Sequence, residues 1–462
     1  MLFNSPVFLF IFLPITYVIF WALRKKEHRY IWLTLTGYVF YGFWNPKFCF
    51  LMLFSTLVSY TAGLGFLRFG GDPRWRKALL IAPIAVDLSL LGYFKYADFA
   101  ISTWNWMAVW NGRPPLEPLN ILLPIGISFY TFHTITYIVD SYRGVIVPTR
   151  NFWEFACYVS LFSQLVAGPI VRFSELQDDL EGINKVDRRA YFNRGWSFFL
   201  IGMTQKVLLA DTIAAVIDPA LKNASVLSSG AAWLCMLGYT YQLYFDFAGY
   251  SNMAVGLGFL FGMHIPKNFD SPYKALNPSD FWKRWHISLS RCLRDYLYIP
   301  MGGNRKGAAR TYINLMVTML LGGLWHGAAW TFVVWGGYHG ALLGIYRMFG
   351  RTWDRLPHLF QRVLTFFLVI LGWTLFRAEN WSAALLVFHR MFVPTPGMMM
   401  TGAAALVVML AICAVIAHTG PNTFEMDHEW SPVPAFAMAG LFVVCIARIV
   451  GGEPSKFLYF QF

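Results

Sequence analysis

TYINLMVTMLLGGLWHGAAWTFVVWGGYHGALLGIY, residues 311–346, contains no Asp, Glu, Lys or Arg over 36 residues, and Arg310 precedes it while Arg347 follows it. A helix needs about 20 mostly apolar residues to cross the hydrocarbon core of a bilayer, so this run is long enough for a membrane segment. Lys and Arg favour the cytoplasmic side of a membrane. Two basic ends therefore predict an even number of passes and a break in the middle of the run.

The glycines near the middle of the run, Gly322, Gly323 and Gly327, are the predicted position of that break, and His326 lies among them. Glycine loosens the backbone and lets a substrate approach closely, and a neutral imidazole is a general base at cytoplasmic pH. His326 is therefore a candidate general base, with hydrogen bonding between helices as the structural alternative. His339 is expected to pack between helices or to line a tunnel.

The whole chain has the composition of an integral membrane protein. Of its 462 residues, 57% are hydrophobic and only 13% are charged, whereas soluble domains average about a quarter charged residues. Basic loops that face anionic lipid headgroups account for the net charge of +13, and no nucleic-acid-binding module is predicted. Six scattered cysteines without CxxC spacing predict neither a disulfide framework nor a zinc or other metal site.

Apolar runs and basic loops predict a multi-pass topology in one integral membrane domain, residues 1–462. The first apolar run precedes the basic cluster 24–29, which places the N-terminus outside and predicts an uncleaved first span. Residues 151–167 are short and lie between two basic loops, so a re-entrant or interfacial segment is predicted there. We predict about 11–12 spans plus re-entrant pieces. The predicted runs are 7–23, 30–44, 46–66, 78–95, 120–139, 195–216, 231–262, the pair within 311–346, 359–376, 398–418 and 433–449.

A basic region, residues 263–310, precedes the long run and is predicted to face the cytoplasm. From Lys274 to Arg310 it holds eight Lys or Arg residues against two acids. Asp280 is predicted to help cap a helix that begins at FWKRW. On that helix Trp282, Trp285 and Leu289 share one side, which is typical of an interfacial amphipathic helix.

The same region is also interpreted as a polyanion site at the cytoplasmic mouth of a pocket. Arg294 beside Asp295 is a predicted orienting ion pair, and the GGNRKG loop, 302–307, offers glycine-exposed amides for phosphates, although it is not a Walker A sequence. His286 lies in this basic region, whereas His326 lies deeper, in the predicted membrane segment. A pair of histidines placed in this way suits an acyl transfer across a membrane. The candidate donor-binding residues are Arg291, Arg294, Asn304, Arg305 and Lys306.

A third polar group lies in the predicted span YTYQLYFDFAGYSNMAVGLG, residues 239–258. Gln242, Asp246 and Tyr250 lie on one helix face because they are four residues apart. An intramembrane carboxylate is costly without a partner. The group is interpreted either as a structural polar network or as the lining of a hydrophilic tunnel, and the two interpretations stay open.

The motifs FWKRWHISLSRCLRDYLYIPMGGNRKG (281–307) and LGGLWHGAAWTFVVWGGYHG (321–340) closely resemble those of the membrane-bound O-acyltransferase family. The match is to its bacterial polysaccharide O-acetyltransferase branch, and LLPIGISFYTFHTITYIVDSYRG (122–144) and LVAGPIVRF (165–173) fit that branch too. The resemblance implies a ring of tilted helices around a central tunnel in the bacterial inner membrane. It implies catalytic roles for His326, which follows Trp325 in LWHG, and for His286 in RWHIS.

The resemblance further implies acetyl-CoA as the cytoplasmic donor, with no bound cofactor, and a separate periplasmic acetyltransferase that finishes the transfer to a polysaccharide. In that scheme the basic side chains of 263–310 meet the CoA phosphates, and His326 deprotonates the acceptor hydroxyl. Two alternatives remain. One is a D-alanyl-type enzyme fed by a carrier protein, and the other is a proton-coupled transporter that uses Asp246, His326 and His339.

Overall fold

The computed structural model describes residues 1–166, 168–452 and 458. These residues are folded into helices and connecting segments, and β pairing among them is limited to an isolated bridge between Leu227 and Met398. The chain divides into two compact units, residues 1–195 with 257–265 and residues 196–256 with 266–462. The all-α prediction is confirmed, and the single domain over 1–462 stays a prediction.

The first unit is built from helices that alternate with short turns. Asp72 caps α4 by accepting the N–H of Arg74, and Asn151 caps α7 in the same manner. π-helical turns at Phe8–Phe12 and Gly92–Tyr96 extend α1 and α4. The α-helices are α1 (Leu13–Ala22), α2 (Lys26–Gly42), α3 (Lys47–Phe69), α4 (Pro73–Leu91), α5 (Ala97–Trp110), α6 (Ile127–Arg143), α7 (Phe152–Ser160), α8 (Phe162–Leu165) and α9 (Phe173–Glu181).

The unit boundaries fall within α10 and α12, and the second unit holds the rest of the chain. π-helical turns at Gln205–Ala210 and Arg294–Tyr298 extend α10 and α14, and short 3₁₀ turns lie at Ala224–Val226 and Pro272–Lys274. The α-helices are α10 (Arg188–Thr204), α11 (Asp211–Lys222), α12 (Ser229–Leu260), α13 (Pro278–Arg284), α14 (Ile287–Leu293), α15 (Ala308–His326), α16 (Trp330–Trp353), α17 (His358–Arg377), α18 (Trp381–Phe392), α19 (Ala403–His418) and α20 (Pro432–Gly451).

Several helices are long and apolar enough to cross a membrane, which agrees with a multi-pass protein. Among the described residues, five helical stretches meet a strict test of length and hydropathy, and Phe8–Ala22 and Ala403–His418 are shorter apolar helices. The exact number of spans stays a prediction. The five stretches are Lys47–Phe69, Pro73–Trp110, Arg188–Lys222, His358–Arg377 and Pro432–Gly451.

The segment predicted to be re-entrant forms α7 and α8, which are 9 and 4 residues long. At 1.5 Å per residue neither helix reaches half of the roughly 30 Å hydrocarbon core. The segment therefore does not cross as one helix, as predicted, although Ala167 lies outside the described residues. No sequence pattern predicted α18, a 12-residue helix that is too short for a span.

The long apolar run forms a helical hairpin of α15 and α16, and the chain leaves helical geometry at Gly327–Ala329. The predicted break is right at Gly327 and wrong at Gly322 and Gly323, which stay inside α15. These two glycines are buried. A methyl group added at Gly323 would collide with the carbonyl oxygen of Phe332 in α16, so glycine there permits close helix packing rather than a break.

Candidate active site

His326 is the last residue of α15 and its side chain is nearly buried, with 5% of its surface exposed. Aromatic rings surround its imidazole: the ring centroids of Trp325, Trp335 and Phe376 lie 5.0, 5.1 and 5.3 Å away. The helix end fixes the backbone of His326 and the rings restrict its rotamer. This histidine is therefore held at the turn of the hairpin.

His286 lies between α13 and α14 in a left-handed conformation, with φ 44° and ψ 56°. Such a conformation is uncommon for a residue other than glycine and often marks a functional site. The prediction of one continuous helix through Leu289 is thus wrong, because the helix breaks at His286. The predicted capping residue of α13 is also wrong. The helix is capped by Asn277, whose side-chain oxygen accepts the backbone N–H of Asp280.

Asn268 explains the break. Its backbone carbonyl accepts the N–H of Ile287 at 2.9 Å, and its side-chain oxygen accepts the N–H and the hydroxyl of Ser288 at 3.2 and 2.9 Å. The same oxygen lies 3.2 Å from Nδ1 of His286. These bonds from Asn268 satisfy donors at the start of α14, which a continuous helix would satisfy internally.

Asn268 also selects the tautomer of His286. The backbone N–H of Ser288 is an obligate donor, so the Asn268 atom that it meets is the oxygen and not the amide nitrogen. An acceptor at 3.2 Å places the imidazole proton on Nδ1 of His286. Neutral His286 then carries its lone pair on Nε2, the nitrogen that is directed away from Asn268.

The two imidazoles lie close together but do not bond directly. Their ring centroids are 6.3 Å apart with an interplanar angle of 68°. Ring nitrogens lie little more than an ångström from their centroid, so no orientation brings two of them within hydrogen-bond distance. Phe247 packs on His286 at 4.7 Å. The two histidines are therefore neighbours in the fold, and His286 is the more deeply buried of the two, with 0% of its surface exposed.

His326 also lines a cavity of about 600 Å³, a size typical of small-molecule sites. The cavity follows α16 from Trp335 to Arg347, a distance of about 18 Å at 1.5 Å per residue. Its charged lining residues are all basic: Lys283, Arg291, Arg294 and Arg347. The cavity thus joins a cationic region to the histidine at the hairpin turn.

The predicted donor-binding residues fall into two sets. Arg291 and Arg294 line the cavity, and Arg294 also forms the predicted ion pair with Asp295, at 2.6 Å. Asn304, Arg305 and Lys306 are exposed and do not line the cavity. Their loop turns away after the positive-φ residues Gly302 and Gly303. Lys283 and Arg347 were not predicted to bind the donor, although Lys283 lies in α13 within the first motif and Arg347 lies in α16 directly after the long apolar run.

The polar group of α12 is buried: Gln242 is 3% exposed, Asp246 2% and Tyr250 0%. Asp246 forms an ion pair with the ammonium of Lys206 at 2.6 Å, and Lys206 also meets Asp211 at 2.6 Å. None of these three residues lines the cavity of about 600 Å³ beside His326. This geometry favours the polar-network interpretation. Lys206 was missed, although a lysine within an apolar run signals an intramembrane partner.

The chain is similar in sequence to known proteins. The profile of the membrane-bound O-acyltransferase family matches residues 141–382, more than half of the chain, and includes both histidines. The chain belongs to this family. As a membrane-bound O-acyltransferase it is a multi-pass membrane enzyme that transfers acyl groups to oxygen, and the fold brings the two histidines predicted to be catalytic to a ring-centroid distance of 6.3 Å.

Relatives of this O-acyltransferase carry names for three related activities. A probable alginate O-acetylase of Pseudomonas putida is 40% identical over 100% of both chains. A peptidoglycan O-acetyltransferase of Helicobacter pylori is 37% identical over 85% of this chain and 80% of its own. A teichoic acid D-alanyltransferase of Bacillus subtilis is 28% identical over 59% and 73%. The similarity is greater for the two O-acetylating relatives.

Proposed function

We propose that this enzyme moves acetyl groups from cytoplasmic acetyl-CoA across the bacterial inner membrane, for O-acetylation of an exported polysaccharide through a periplasmic acetyltransferase partner. The observation that carries the proposal is the cavity that joins four basic side chains to His326. An extended phosphopantetheine arm has about the length of this cavity. The CoA phosphates then meet Arg and Lys at the mouth, and the thioester reaches His326.

The chemistry assigns one role to each histidine. His326 accepts the proton of the acceptor hydroxyl as its oxygen bonds to the acetyl carbon. The carbon–sulfur bond breaks, and the proton held by His326 passes to the CoA thiolate. His286, fixed by Asn268, presents the lone pair of its Nε2 and assists proton transfer as an acceptor. The aromatic rings around His326 exclude bulk water from this step.

The names of the relatives support acetyl over other acyl groups, because the more similar relatives are O-acetylases. A second candidate is D-alanyl transfer from a phosphopantetheine carrier protein, since a basic mouth also suits an acidic carrier and a D-alanyltransferase is among the relatives. Membership of an acyltransferase family argues against the proton-coupled transporter.

The donor is tested with purified protein and acetyl-CoA, with the free thiol as the readout. We expect thiol release by the wild-type chain, and an increase of at least about ten-fold in KM for acetyl-CoA in the R291A/R294A variant. The matched control R305A/K306A removes two exposed charges outside the cavity, and its KM should stay within about two-fold. Turnover only with a charged carrier protein would favour the D-alanyl candidate.

A further inference from the structure

A second cavity in the second unit has no part in donor binding. It has a volume of about 260 Å³ and lies among α11, the end of α17 and α18. Its lining combines apolar side chains with a compact set of polar ones, and none of the described residues that line it is aromatic. The polar lining residues are Lys222, Ser225, Thr374, Arg377 and Glu379.

The last turn of α17 separates this cavity from His326. Trp373 and Phe376 line a void of about 10 Å³ that His326 also lines, whereas Thr374 and Arg377 line the larger cavity. Residues three apart lie on one face of a helix. One face of the last α17 turn therefore lines the small void at His326, and the adjacent face lines the larger cavity. The Phe376 ring is part of the wall that separates these two spaces.

The charge pattern of α17 places this cavity on the outer side of the membrane. α17 has 20 residues, about 30 Å at 1.5 Å per residue, which matches the hydrocarbon core. Arg355 and Arg362 lie at its first end, and the positive-inside rule assigns that end to the cytoplasm. The end at Arg377 then faces the periplasm.

Two of the three charged residues that line the cavity, Lys222 and Arg377, are cations, and Glu379 is the third. The guanidinium of Arg377 meets Asp218 at 3.3 Å, and the Asp218 side chain is 36% exposed, so this ion pair contributes little. Among the described residues, Nε of Arg377 has no hydrogen-bond partner. Lys222 adds a second cation at the exposed edge, where Glu379 contributes one anion. Arg377 therefore retains donors for an anionic group beside the wall.

We propose that this cavity is the acceptor docking site, and that it receives a loop of the periplasmic partner protein in which a hydroxyl side chain stands next to a carboxylate. The proposal rests on the function proposed above. Arg377 binds the carboxylate, and movement of Phe376 opens the wall so that the hydroxyl reaches His326. A peptide is favoured over a sugar because sugar rings commonly stack on aromatic side chains, which this lining does not contain. Met398 and Met399 lie on the loop that pairs with Leu227, and their side chains are exposed. They provide an adaptable apolar surface that a protein can contact.

The test compares acyl transfer with thioester hydrolysis in the full-length chain. In cells with the S225C variant, a membrane-impermeant, anionic thiol reagent should lower the ratio of glycan O-acetylation to acetyl-CoA hydrolysis by at least about ten-fold. R377E should lower the same ratio to a similar extent, and R377K should restore part of it. F376A should raise acetyl-CoA hydrolysis several-fold, because water then reaches His326 through the opened wall.

Controls separate this proposal from the function on which it rests. N111C and R113E change exposed residues of the first unit, and the ratio should not move in either variant. The native cysteines described are buried except Cys49, so labelling reports the introduced thiol. An unchanged ratio in both the labelled S225C variant and R377E would overturn the docking site. The proposal would also be overturned if a uronic-acid dimer, but not an acidic serine peptide, protected S225C from the thiol reagent. Absence of hydrolysis in the wild type would instead contradict the donor assignment.

Discussion

Asn268 organises the His286 side of the active site, since its buried side-chain oxygen accepts from the imidazole and from both donors of Ser288. We predict that N268A loses about 1–3 kcal/mol of unfolding free energy, because buried donors lose their acceptor. Thermal unfolding in detergent measures this loss. N268D keeps an accepting oxygen and should unfold closer to the wild type. Equal melting temperatures for N268A and the wild type would mean that Asn268 does not hold the break.

At the residue scale, His326 was predictable because glycines, an apolar run and a topological reversal coincide at one position. Asn268 was not predictable, since it lies 18 residues from His286 in a segment with no regular pattern. Lys206 had a visible signal, but its pairing with Asp246 depends on the packing of α10 against α12. Pairings between distant segments are a property of the fold and not of local sequence.

At the element scale, the α15–α16 hairpin depends on glycines at the helix crossing. An added methyl at Gly323 meets the Phe332 carbonyl, whereas one at Gly337 meets only a Leu320 methyl at 3.4 Å. We predict that G323A costs about 1–3 kcal/mol of stability through overpacking, while the matched variant G337A is neutral or slightly stabilising. Thermal unfolding of both purified variants decides this. Similar destabilisation by the two would show that packing at Gly323 is not special.

A pH-dependent contact links α9 to the segment after α12 within the first unit. Nδ1 of His264 lies 2.9 Å from Asp179, and this hydrogen bond raises the pKa of His264 above its ordinary value of 6.5. A raised pKa means that protonated His264 stabilises the fold fully below about pH 6.5 and that this contribution is lost as the pH rises through the raised pKa. Hydrogen exchange in α9, once corrected for intrinsic rates, should therefore be slower at low pH.

The matched variant for this contact is H264Q, which cannot become charged. Its α9 exchange, once corrected for intrinsic rates, should not depend on pH in this range. An equal pH dependence in wild type and H264Q would assign the effect to another group.

At the same scale, the helix break at His286 was missed because FWKRWHISLSRCL has a continuous helical pattern. The break is imposed by Asn268 from outside the segment.

At the scale of the whole molecule, loop charges predict which ends share a side of the membrane. The cluster 24–29 and the basic residues 347–355 are assigned to the cytoplasm, and residue 111 to the outside. We predict that an impermeant thiol reagent labels N111C in intact cells but labels K26C and R355C only after permeabilisation. Labelling of R355C in intact cells would reverse the sidedness of the hairpin and of the donor cavity.

Composition and charge predicted the all-α, multi-pass architecture, because hydrophobic length and loop charge are local properties. They did not predict the donor cavity, which needs side chains from α13, α14, α15 and α16 together. Lys283 and Arg347 are 64 residues apart in the sequence, and no local pattern connects them. The fold is what turns scattered basic residues into one binding surface.

The most direct measurement of the central claim is the turnover of purified H326A with acetyl-CoA, beside H358A as a control at an exposed histidine. General-base catalysis contributes about 10²–10⁴-fold. H326A should therefore lose at least about 100-fold in kcat with KM for acetyl-CoA within about two-fold, while H358A keeps wild-type values. Wild-type turnover in H326A would contradict the assignment of His326 as the base of this O-acyltransferase.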